Sequence, residues 1–174
     1  ASMSAGSGWK PSSGLAVSFS SSTPDVCTVS GDMVTIVAAG ACTIAANQAG
    51  NSNYRPAPQV QQTFTVSPAT LTVTANDQSR SYGAANPTLT YSVSGLVNGD
   101  SAAEVLTGAP ATTATAESPV GSYPITQGSL ALTPVGAANY SLSFVGGTLE
   151  VTPATLTVTA DDQSRSYGAA NPTL

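Results

Sequence analysis

Apolar and polar side chains alternate along most of this chain. Leu71, Val73 and Ala75 are interleaved with Thr70, Thr72 and Thr74, Leu89, Tyr91 and Val93 with Thr90, Ser92 and Ser94, and Tyr140, Leu142 and Phe144 with Ser141 and Ser143. A period of two places successive side chains on opposite faces of a strand, so each stretch predicts a half-buried β-strand with an apolar inner and a hydroxylated outer face. The same period runs through Leu15/Val17/Phe19, Cys42/Ile44/Ala46 and Phe64/Val66, and no window carries an i, i+3, i+4 apolar stripe with helix caps. Asn98-Gly99, Ser30-Gly31-Asp32, Gly50-Asn51 and Gly146-Gly147 supply turn signals between the strands. Short two-faced strands so punctuated predict an all-β chain of β-sandwich modules.

The chain repeats itself. Residues 68–89 (PATLTVTANDQSRSYGAANPTL) recur at 153–174 with one change, Asn76 to Asp161, at an offset of 85 residues. This divides the chain into a leader or linker at 1–13, a small module at 14–67, a full repeat at 68–152, and, at 153–174, the opening strand of a further repeat or a donor strand. The two junctions match: Val66-Ser67-Pro68-Ala69 and Val151-Thr152-Pro153-Ala154 each pass from a last strand to a first strand through a proline with almost no spacer. Proline fixes its own φ and biases the preceding residue toward extended backbone, so the modules are expected end to end with limited swing.

Composition narrows the chemistry. The 174 residues hold no His, four Lys and Arg together, and nine Asp and Glu, for a net charge of −5. There is no imidazole for proton transfer and no basic patch for nucleic acid. A hydrophobic content of 41% is nevertheless enough to build cores, and the 47 Ser and Thr supply the outer faces of the strands. The run from Val34 to Ala46 is interrupted by Thr35, Gly40 and Thr43 and is too short for a membrane-spanning helix. No membrane span is expected, and residues 1–14 show no secretion-signal pattern.

Cys27 and Cys42 lie in strand-like stretches on either side of the Ser30-Gly31-Asp32 turn, a placement that allows them to face each other on neighbouring strands. A disulfide is the expected pairing, with two buried free thiols as the other reading; two thiols without His fall short of the four ligands of a structural metal site. A disulfide points to an oxidising, extracellular setting.

The segments Ala69–Ala75, Ser79-Arg80-Ser81-Tyr82-Gly83, Asn86-Pro87, Gly95–Asp100, Tyr123-Pro124-Ile125 and Asn139–Leu142 together resemble the bacterial MBG repeat of the Tyr-Gly type. The first module, through Val26–Gly31, Ala39–Ile44 and Gly50–Tyr54, resembles a cysteine-bridged immunoglobulin-like repeat found beside it in large bacterial surface proteins. The resemblance implies a module of a secreted adhesin or fibre that acts as a spacer, with no catalytic residue. The alternative from another class is a module that binds a glycan or a host surface.

The remaining side chains offer little sharper chemistry. A Ser–Lys pair would depend on Lys10, in an unpatterned stretch, and Asp100 with Glu104, or Asp161 with Asp162, are expected as solvated turn acids rather than a glycosidase pair. Asn76-Asp77 and Asp161-Asp162 are candidate calcium ligands, but no dense acidic array surrounds them. No metal and no cofactor are expected. Trp9, Tyr82, Tyr91, Tyr123 and Tyr140 are expected in cores, Tyr54 and Tyr140 as pins for a corner, and Arg80 and Arg165 as donors to loop oxygens.

The ends differ. Module one reaches its Leu15–Ser20 strand without the opening strand that Thr70–Ala75 gives module two, while Thr155, Leu156, Thr157, Val158, Thr159 and Ala160 form one strand too many. These six residues are a candidate donor strand for a neighbouring copy or an adjacent repeat.

Overall fold

A computed structural model describes residues 2–4 and 12–173. Trp9 and Lys10 lie outside the described residues. The fold is all-β, and the described residues include two short helices.

The first unit packs two three-stranded sheets. One contains β1 (Ser2–Ser4), β4 (Met33–Ile36) and β3 (Cys27–Ser30) in that order; the other contains β2 (Ser18–Ser21), β5 (Gly40–Gln48) and β6 (Ala57–Val66). The β3–β4 hairpin turns at Gly31-Asp32, where Gly31 takes φ +62° and Ser30 pairs with Met33. Cys27, Val34, Cys42 and Ile44 form the core, with Phe19, Val26, Val29, Ile36, Phe64 and Val66 packed against it. The alternation at Cys42 and Ile44 thus reports an inner face, as the period predicts.

Two expectations for this unit are corrected. An opening strand is present where none is expected, since Ser2–Ser4, within the leader, pairs antiparallel with Met33–Thr35; three residues are too few to show a period. The Leu15–Ser20 strand begins only at Ser18, because β5 provides partners for Ser18 to Ser21 and for none of the residues before them.

The second unit also has two main sheets. One is β14 (Tyr140–Val145), β7 (Ala69–Ala75) and β9 (Tyr91–Ser94); the other is β11 (Ala111–Thr112), β12 (Gly121–Thr126), β15 (Gly147–Thr152) and β8 (Gln78–Ser81). A two-residue ladder joins β10 (Leu106–Thr107) to β13 (Ala131–Leu132). Leu71, Val73, Val105, Leu106, Leu130 and Tyr140 make one core cluster, while Ala75, Ala114, Ile125 and Leu149 make another, and Phe144 packs against both.

The helices α1 (Ala102–Val105) and α2 (Pro134–Asn139) are too short to show an apolar stripe. Their signals are local. Ser101-x-x-Glu104 is a capping-box spacing, and Glu104 reaches back to the Ser101 N–H at 3.0 Å and its hydroxyl at 2.7 Å. Thr133 precedes a proline at the first helical position and accepts the Gly136 N–H at 3.0 Å.

Asn98-Gly99 forms the expected two-residue turn, with φ +57° and +85° and an Asp100 N–H to Val97 carbonyl bond of 3.1 Å. Gly146-Gly147 does not turn the chain. It is where the chain passes from β14 in one sheet to β15 in the other, and a Cβ at Gly147 would lie 2.8 Å from the Ala75 carbonyl oxygen.

Candidate functional site

The feature that organises the second unit is a parallel pairing of its first and last strand segments. Ala69 lies opposite Tyr140 and Thr74 opposite Val145; after both chains cross to the second sheet, Gln78 lies opposite Leu149 and Ser81 opposite Thr152. The offset between partners is 71 residues at both ends, so the crossing leaves the register unchanged. The chain enters this unit at Ala69, beside Tyr140, and leaves it at Thr152, a dozen extended residues away. At about 3.3 Å per residue this separation approaches roughly 40 Å.

At the crossing the backbone ladder is interrupted and a side chain fills the gap. The Asp77 carboxylate accepts the Thr148 N–H at 2.7 Å and the Thr148 hydroxyl at 2.9 Å, again at the 71-residue offset. Those two bonds, the backbone one foremost, hold the Asp77 carboxyl below its ordinary range. Asp77 is a candidate calcium ligand by sequence; here its Oδ1 is engaged by Thr148, and among the described residues no group of three or more His, Cys, Asp or Glu is placed to hold a metal.

Arg80 is the buried charged side chain of the described core. Its Nε donates to Asn86 Oδ1 at 2.7 Å, Nη1 to the Ser81 carbonyl at 3.1 Å, and Nη2 to the Thr115 carbonyl, while Asn86 Nδ2 donates to the Ala114 carbonyl at 2.6 Å. The guanidinium fork therefore ties β8 to the loop after β11, which is the role expected for it. Arg165, its counterpart in the terminal copy, is exposed and donates to the Ala169 carbonyl at 3.0 Å.

Tyr140 pins a corner. Its hydroxyl donates to Asp100 Oδ2 at 2.7 Å and accepts the Val97 N–H at 3.0 Å, and burial above all pushes the phenol up. Tyr54 does not repeat this role: it is 53% exposed in the loop between β5 and β6. Tyr82, expected in a core, is 50% exposed at the turn that ends β8. Tyr91 and Tyr123 are partly buried against the two clusters.

The acidic residues that could suggest catalysis are committed to local structure or lie in solvent. Asp100 holds Tyr140, and Glu104 caps α1, with the Ser101 hydroxyl and then its N–H keeping the carboxyl below the usual range. Asp161 and Asp162 are exposed.

The Cys27–Cys42 disulfide is present, with Cα atoms 5.7 Å apart. It differs from the expected arrangement in one respect: Cys27 lies on β3 and Cys42 on β5, so the bridge joins the two sheets across the core rather than adjacent strands of one sheet.

The two units touch. The Ala39 N–H donates to Asn139 Oδ1 at 3.0 Å, and a groove at the join is lined by Val37, Val66, Ala69 and Val97 among others. The connection itself is Ser67-Pro68. This hydrogen bond has no sequence signal, because its partners are 100 residues apart.

Residues Thr155 to Ala160 make no strand pairing among the described residues. Leu156 and Val158 are 87% and 88% exposed, whereas Leu71 and Val73, which occupy the same places in the repeat, are both 0% exposed.

Residues 71–150 match the MBG domain (YGX type) family. The second unit is thus an MBG domain, a structural repeat and not an enzyme family. Neither curated proteins nor solved structures gave a match. No helix among the described residues is long and apolar enough to cross a membrane, and the disulfide and the MBG domain fit an extracellular protein.

Proposed function

We propose that this chain is a spacer segment of a secreted bacterial adhesin or fibre, built to hold other parts of that protein apart. The observation that carries this reading is the parallel pairing of 69–81 with 140–152, which brings the chain in at one end of the MBG domain and lets it out at the other. Short proline junctions, the contact between Ala39 and Asn139, and few charged groups fit the same role.

Within this reading, residues 153–174 supply the opening strand of a following repeat. Leu156 and Val158 need the kind of slot that β14 and β9 provide for Leu71 and Val73. Their own domain cannot supply it, since Pro153 alone would have to bridge the length of the domain back to Tyr140. The next repeat offers such a slot, and in a neighbouring copy the strand would take the place of that copy's own β7; head-to-tail association of copies by this exchange is part of the proposal.

The test is to append complete copies of residues 68–152 in register and measure maximum dimension by small-angle scattering. A constant increment per copy is expected; a compact particle whose length does not grow with copy number overturns the spacer reading. For association, deletion of 153–174 is expected to leave monomers where the full chain assembles. Equal assembly with and without those residues overturns strand donation. A glycan array on the same proteins separates this role from ligand recognition, for which selective binding would be the sign.

A further inference from the structure

We infer that the paired segments 69–81 and 140–152 form a shear clamp that lets the MBG domain carry tension along the chain. This deepens the spacer reading, on which its biological purpose rests, although the mechanics follow from topology alone. Tension on the chain pulls Ala69 one way and Thr152 the other. Because the two segments run parallel and the pulled ends are opposite ends of the paired region, the load slides one segment along the other.

In that geometry six residue pairs between β7 and β14, four between β8 and β15, and the Asp77–Thr148 bonds resist together. Ladder hydrogen bonds run across the strands, evenly spaced in parallel pairs, so no single rung takes the load first. Opening from one end would break them in sequence. The Tyr82 N–H to Thr152 carbonyl bond of 2.8 Å lengthens the ladder at the exit. Sliding must also expose Leu71, Val73, Leu149 and Val151, which stand at 0%, 0%, 0% and 1% exposure on the two loaded segments. Polar rungs and apolar core therefore fail at the same step.

Among the described residues the first unit shows no such clamp between its outer strands. β2 and β6 lie on opposite sides of β5 in one sheet, and β1 is in the other. Its resistance is covalent instead, since the bond between Cys27 and Cys42 prevents the 15-residue separation between them from being pulled out. The two units meet the same load by different means.

The test is single-molecule force spectroscopy on the full chain in two attachment geometries, with the disulfide intact. In the first, handles hold the two ends of the chain. In the second, one handle is at the C-terminal end and the other at Ala85→Cys, exposed and four residues past Ser81, the partner of Thr152. The second geometry peels Ser81 from Thr152 and opens the same ladder rung by rung. The MBG rupture, recognised by its contour-length gain, is expected at several-fold higher force in the first geometry. Equal forces in both, or a lower force in the first, overturn the clamp. Arrays that prove compact while the force difference persists would overturn the spacer reading alone.

Discussion

Asp77 and Thr148 stand opposite each other where both strands of the parallel pair leave one sheet for the other, and the carboxylate of the first takes the N–H and the hydroxyl of the second at 2.7 and 2.9 Å. A side chain thus continues a ladder that the backbone interrupts. Gly147, next to Thr148, permits the approach, because a Cβ there would meet the Ala75 carbonyl.

Acid is expected to weaken the fold through this contact. The folded Asp77 carboxyl titrates below its unfolded value, as does that of Glu104, so the folded state binds fewer protons than the unfolded one as pH falls. The contribution is complete above the unfolded values of about 4 and is lost as pH drops through the lower folded ones. Urea midpoints measured from neutral pH down to acid are expected to fall below that point, and Asp77→Asn with Glu104→Gln to flatten the fall. An unchanged slope in the double variant would contradict the assignment.

Arg80 cannot be replaced by its nearest charged relative. Lys would deliver a point charge where Asn86, Ser81 and Thr115 present oxygens around a planar fork. Arg80→Lys is expected to destabilise the MBG domain by about 2–3 kcal/mol, the scale of hydrogen bonds to a charged group. Thermal and urea unfolding measure it. The same change at exposed Arg165 is expected to be nearly neutral.

Reduction of Cys27–Cys42 is expected to lower the stability of the first unit by about 3 kcal/mol, the value for a loop of this length. The MBG domain contains no cysteine, so its transition should not move. Calorimetry with and without reductant would show one transition shifting and the other fixed; a common shift would mean that the two units unfold as one.

Asn139→Ala removes the acceptor for the Ala39 N–H at the join. Inter-unit orientation measured by residual dipolar couplings is expected to broaden, with the core signals of each unit unchanged. Unchanged inter-unit order would mean that Ser67-Pro68 and the apolar residues at the join hold the units without this hydrogen bond.

The period-two stretches locate β7, β14 and the core face of β5, because half-buried strands write their burial directly into alternate residues. The 85-residue repeat puts Pro68 and Pro153 at equivalent places in the residues themselves. Pairing is a different matter. Nothing local says that Ala69 lies beside Tyr140 or that Asp77 meets Thr148, since parallel partners are joined by a long excursion of chain. Asp77 stands out in the sequence as an acid after a strand, which suggests calcium, because the N–H across from it has no local signature. The glycine pair at 146–147 reads as a turn because glycine marks both reversal and close approach; here the crowding by Ala75 decides for the second. Strand ends are set by neighbours too: β9 begins at Tyr91 rather than Leu89 because its partner β7 ends at Ala75, opposite Tyr91.

The central claim is that the MBG domain passes the chain from one end to the other, and one distance tests it. Spin labels on cysteines introduced at exposed Ser67 and Ala154, with the native disulfide intact, flank the domain at its entry and exit. Pulsed dipolar spectroscopy is expected to give at least roughly 40 Å, since the labels lie two residues outside the dozen extended residues that span the domain. A narrow distribution below roughly 20 Å, too short for strands that run on through the crossing at their extended rise, would place entry and exit side by side and contradict the account.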